Sequence, residues 1–134
     1  MSRSLIQVSN QSSQDVAENS IISLGSVLRR FGCNCRLSGN AIEVAGEGYY
    51  TIDASVTATP TAIGDVTVAL YKNGVQVPGA IATATAGAVG DSVAIPITTT
   101  IRQGCRCDDT DNLTLVLLKG AGAVSNVSMR VEKV

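Results

Sequence analysis

Residues 48–73 read GYYTIDASVTATPTAIGDVTVALYKN, and their alternation decides the fold. Tyr50, Ile52, Ala54 and Val56 fall on one side of an extended chain, with Thr51, Asp53, Ser55 and Thr57 on the other; Val66, Val68 and Leu70 repeat the pattern. Successive side chains of a strand point to opposite faces, so a period of two with one apolar side predicts half-buried antiparallel strands. A turn-rich break separates the two runs, and the second runs straight into Asn73-Gly74. That pair supplies the positive φ angles of a two-residue hairpin turn, and Val75 and Val77 resume the alternation beyond it.

Toward the carboxy terminus, Pro78-Gly79 is expected to break residues 75–77 from the small-residue run 80–86. Val93, Ile95, Ile97, Thr99 and Ile101 then alternate over a long run. Pro96 has no amide hydrogen for a ladder, which predicts an edge strand or a bulge there. Residues 113–118 are apolar on both faces and predict a strand buried between the core and a second layer, either another sheet or another subunit. After Gly120-Ala121-Gly122, a last strand carries Val127, Met129 and Val131 on one face.

Toward the amino terminus, Ser38-Gly39-Asn40 and Gly46-Glu47-Gly48 read as turns on either side of residues 41–45. In SIISLGSVLRRF, residues 20–31, Leu24, Val27, Leu28 and Phe31 fit helical spacing, while Ile22, Leu24 and Leu28 fit one side of a strand. Gly25 and the β-branched residues favour the strand. Residues 1–19 form an amino-terminal arm or first strand, and residues 20–134 the domain proper. Nine or ten strands, with turn signals every 8–12 residues, predict an all-β sandwich or barrel.

A chain of 134 residues fits one domain with one core. Charged residues make up 16% with a net charge of −1, and Lys and Arg are scattered, which removes the electrostatic footprint expected for nucleic acid. No apolar run approaches the roughly 18 residues of a membrane-spanning helix, so membrane insertion is not expected. The apolar surplus is then to be buried in the core or against another subunit. Residues 1–14 lack the apolar centre of a signal peptide, and the three N-x-Ser/Thr triplets at Asn10, Asn112 and Asn126 are what chance gives a chain this rich in Ser and Thr.

The pattern Gly48-x-Tyr50-x-Ile52-x-Ala54-x-Val56, the hairpin Leu70-Tyr-Lys-Asn-Gly74, Val75-x-Val77-Pro-Gly79 and the turn Asp111-Asn-Leu-Thr-Leu115 resemble the C1q/tumour-necrosis-factor-like jelly rolls. Within them, the sequence looks like the carboxy-terminal domains of bacterial exosporium glycoproteins and related phage proteins. The resemblance covers roughly residues 20–134. It implies a two-sheet antiparallel jelly-roll sandwich of about ten strands, assembled as a homotrimer, and it departs from the best-known members in lacking a Gly-x-y stalk. Such members present a surface to a partner at the tip of a fibre or particle.

Two Cys-x-Cys pairs, Cys33/Cys35 and Cys105/Cys107, lie in expected loops or strand ends. They fit unbridged thiols, disulfides running between the pairs, or one tetrahedral Zn²⁺ held by four thiolates. Asp108, Asp109 and Asp111 could offer hard oxygen ligands for Ca²⁺, but the run lacks the Gly and distal Glu of an EF-hand loop, and a solvated turn is the favoured reading. Catalysis is not expected. The chain has no His, and Glu43, Glu47 and Asp53, near one another in sequence, read as solvated carboxylates. Tyr50 should face the core and Tyr49 the exterior or an interface. The expected function is a non-catalytic trimeric structural or attachment module of a phage or prophage virion, as a fibre or decoration, or of a bacterial cell or spore surface; the alternative is a small-ligand or glycan-binding module acting through jelly-roll loops.

Overall fold

The computed structural model describes residues 4–103 and 110–134. In chain order the strands are β1 (Leu5–Asn10), β2 (Gln14–Val16), β3 (Ser20–Ile21), β4 (Ser26–Phe31), β5 (Cys35–Ser38), β6 (Ala41–Ala45), β7 (Gly48–Pro60), β8 (Gly64–Lys72), β9 (Val75–Ala86), β10 (Val93–Gln103), β11 (Thr110–Lys119) and β12 (Gly122–Lys133). Sheet one runs β10-β7-β12-β1-β4 with β2 added on β12; sheet two runs β5-β6-β11-β8-β9 with β3 added on β11. All pairings are antiparallel, and the chain crosses repeatedly from one sheet to the other, which makes a jelly-roll sandwich. The count exceeds ten because β2 and β3 are short pieces, three and two residues long, laid along strands already paired elsewhere.

The core follows from the alternation. Tyr50, Ile52 and Val56 from sheet one meet Val66, Val68, Leu70, Leu113, Leu115 and Leu117 from sheet two, all fully buried. Asn73 and Gly74 take φ angles of 53° and 81°, so the hairpin turn forms as expected. β10 is the edge of sheet one, and there Pro96, opposite Ser55, leaves no inner ladder unpaired.

Two local expectations change. Pro78-Gly79 does not end a strand: β9 continues through it, with Ala69 opposite Ile81 and Tyr71 opposite Gln76, so that Leu70 alone faces residues 77–80. The proline is accommodated because β9 is an edge strand and the chain bulges outward at Gly79, where φ is 81°. Nor do Ile22, Leu24 and Leu28 share a side. Ile22 and Leu24 plug the open edge between the sheets, whereas Gly25, at φ 80°, redirects the chain and leaves every residue of β4 exposed.

That crossing is held by side chains standing in for a ladder. Gln14 donates from Nε2 to Ser23 O and accepts from Ser23 N, both at 3.0 Å, and Asn10 Nδ2 donates to the same carbonyl at 3.2 Å. One amide thus satisfies the donor and acceptor of a backbone that leaves both sheets, as buried polar groups require.

Candidate functional site

One end of the sandwich gathers polar groups around the first cysteine pair. β5 begins at Cys35, whose side chain points inward and is 1% exposed, while Cys33 lies in the preceding turn and is exposed; both thiols are free. Asn34 between them holds the turn. It donates from Nδ2 to Ala45 O at 2.7 Å, its Oδ1 accepts from Ser4 Oγ at 2.6 Å, and its own carbonyl accepts from Ala45 N at 2.8 Å. Tyr50, fully buried, donates to the carbonyls of Ala45 and Gly46 at 2.8 and 2.9 Å. The network closes the end of the core with its backbone carbonyls satisfied.

Two cysteines two apart therefore differ in kind. Burial pushes the Cys35 thiol up to about 11, against the pull of Arg30 and Lys133, so near neutral pH it is a protonated, inward-facing group. Iodoacetamide at neutral pH should label Cys33 in the native chain and reach Cys35 only after unfolding, which peptide mass mapping resolves. Labelling of Cys35 as fast as Cys33 would contradict this arrangement. Cys105, Cys107, Asp108 and Asp109 lie outside the described residues; among those described, no group of three or more His, Cys, Asp or Glu side chains is placed to hold a metal ion.

Tyr50 is likewise raised, to about 12, first by burial and then by the neighbouring Cys35, with the Asn34 hydrogen bond pulling the other way. Unfolded, the thiol and phenol ionise at their ordinary 9.0 and 10.0. Between those values and the folded ones, the unfolded chain sheds protons that the folded chain keeps. Stability is therefore complete below about pH 9 and falls as pH rises toward about 12, by roughly 1–2 kcal/mol per group once screening by solvent at the end of the sandwich is allowed for. Urea midpoints measured against pH should show this loss, and Cys35→Ala should remove the lower part of it.

Asp111, the remaining candidate Ca²⁺ ligand, is occupied with structure. Its carboxylate sits 3.1 Å from Lys72 Nζ and accepts from Asn73 Nδ2 at 2.7 Å, while Asn73 and Asn112 exchange two further bonds at 2.8 Å. The hairpin tip is thereby fastened to the start of β11. Glu43 and Asp53 are brought no closer than their sequence spacing suggests: they stand on the outer faces of opposite sheets, paired with Arg36 at 2.6 Å and Arg130 at 2.5 Å, while Glu47 is exposed in the turn between. The two carboxylates do not face a common substrate position.

The outer face of sheet one is the surface that sequence reading missed, because it is assembled from strands far apart in the chain. Its registers line up Pro96, Ser55, Ser128, Ser9 and Ser26 in one row, and Thr98, Asp53, Arg130, Gln7 and Arg29 in the next. Small hydroxyl side chains leave it flat, with a shallow trough of about 420 Å³ over Ser55, Pro96 and Ser128. Phe31 and Leu28 at the β4 edge and Tyr49 on β7 stand exposed around it, at 51%, 56% and 56%. Tyr49 and Tyr50 thus point outward and inward, as their alternation predicts.

No protein-family model matches the sequence, and neither does any curated protein. Solved structures match the fold. The globular domain of zebrafish complement 1qA superposes with a TM-score of 0.71 at 8% identity, over 96% of this chain and 94% of that one. Eiger TNF from S. frugiperda gives 0.71 at 8%, over 98% and 91%. PRD1 vertex protein P5 gives 0.66 at 14%, over 98% and 96%. The likeness at these identities is one of fold alone, a jelly roll of the C1q/TNF-like type.

Proposed function

We propose that this chain is a non-catalytic structural and attachment module that works as a homotrimer, on a virion or a cell surface. The observation that carries the reading is the outer face of sheet one: flat, rich in Ser and Thr, almost free of unpaired charge at its centre, and rimmed by Phe31, Leu28 and Tyr49. The row of small side chains Pro96, Ser55, Ser128, Ser9 and Ser26 lets a second copy approach closely, and burying the apolar rim supplies the driving force for association. The fold likeness to a vertex protein supports a virion setting. Non-catalytic action is supported by the lack of any His and by the separation of Glu43 from Asp53 on opposite faces.

Ser55 is exposed at the centre of that face, between Pro96 and Ser128. A long charged side chain there would be buried unpaired at an interface, which costs several kcal/mol. Ser55→Arg should therefore convert the trimer to a folded monomer, with an unchanged far-ultraviolet circular dichroism spectrum and one third of the mass by light scattering. A Ser55→Arg protein that keeps the wild-type mass would move the interface elsewhere.

A further inference from the structure

We infer that the cleft between the tip of the β8–β9 hairpin and the end of β10 binds a small monocarboxylate with a compact apolar body. The bulge at Pro78-Gly79 carries β9 away from the line of β8, and β10 runs past it on the opposing sheet, leaving an opening of about 440 Å³. That volume lies within the roughly 300–1,000 Å³ of small-ligand sites. Val75, Val77, Pro78 and Ile101 form apolar walls, and Val75 is 69% exposed at its mouth.

Charge selects the ligand. Lys72 lines the cleft, but its ammonium is already matched by Asp111 at 3.1 Å and donates to Arg102 O at 3.2 Å. Arg102 also lines the cleft, and its guanidinium makes no ion pair or hydrogen bond among the described residues. One uncompensated guanidinium among the described residues offers a planar pair of donors that suits a carboxylate, whereas a doubly charged phosphate would call for a second cation. Thr100 and Gln76 add polar contacts at the rim. Among the described residues no aromatic side chain lines the cleft, so they offer a sugar ring no stacking platform, and the aliphatic walls favour an apolar body instead.

The test is a titration of the full chain with sodium benzoate and, separately, sodium hexanoate, followed by backbone amide chemical shifts. Benzamide and hexanamide serve as uncharged controls. Shifts at residues 72–77 and 100–102 with either carboxylate, and none with its amide, are expected; response to benzoate alone identifies aryl acids, to hexanoate alone aliphatic ones. Arg102→Gln should weaken binding about tenfold, the loss expected for one charge-assisted contact. Silence with both acids, equal response to the amides, shifts scattered over the surface, or undiminished binding by Arg102→Gln would each overturn the assignment. Light scattering on the same samples reports assembly separately, so loss of the trimer and loss of the ligand site are distinguishable.

Discussion

Gly25→Ala is expected to lower the stability of the fold by about 3 kcal/mol or more, and the melting temperature by about 10 °C or more. Gly25 turns the chain at φ 80°, a conformation that strains any residue with a side chain. A Cβ there would also meet Ser9 O and approach Asn10 Cβ at 2.6 Å, both fixed in β1 or at its end. The strain and the overlap add, because the backbone cannot move to relieve one without breaking the pairing of β1 with β4. Gly39, in the turn between β5 and β6, provides the control: its φ is 59°, and a Cβ added there would meet nothing within 4 Å. Gly39→Asn, a residue that tolerates this conformation, should cost less than about 1 kcal/mol. Thermal unfolding followed by circular dichroism measures both, and equal effects would show that Gly25 is not the pivot of the crossing.

Leu24→Ala should cost about 3 kcal/mol, and Leu28→Ala less than about 0.5 kcal/mol in the subunit itself. Leu24 is fully buried between the sheets, where removing its side chain leaves a cavity walled by both; Leu28 is 56% exposed on β4. The two lie one short stretch of chain apart, and the contrast is set entirely by the redirection at Gly25. Urea denaturation of both variants in the Ser55→Arg background isolates the subunit from assembly. Comparable costs would mean that β4 packs inward.

These pairs mark where sequence reading reaches its limit. Local signals with one physical cause survive folding: Asn73-Gly74 makes its turn, Tyr50 and Tyr49 take opposite sides of β7, and Pro96 lies on an edge strand. β11 is the central strand of its sheet, with Leu113, Leu115 and Leu117 fully buried on the inner face and Val116 8% exposed on the other. What escapes is whatever depends on a partner distant in the chain. Alternation through residues 20–31 assumes a continuous strand, and a single positive φ cancels it. The Gln14 amide that bridges to Ser23, the Lys72–Asp111 pair and the Ser55–Ser128 row are products of topology. Of the candidate site, the presence of Cys33 and Cys35 at a strand end was legible; their opposite exposure was not, since it depends on where β5 begins. Asp111 read as a turn residue, but it lies within β11, and its partners Asn73 and Lys72 come from another strand's tip.

Assembly is the central claim, and native mass spectrometry in metal-free buffer, with and without reductant, tests it most directly. A dominant species at three times the 13.7 kDa subunit mass, unchanged by reductant, is the predicted result. A monomer persisting at the highest attainable concentration would contradict it and leave the flat face of sheet one without its proposed partner.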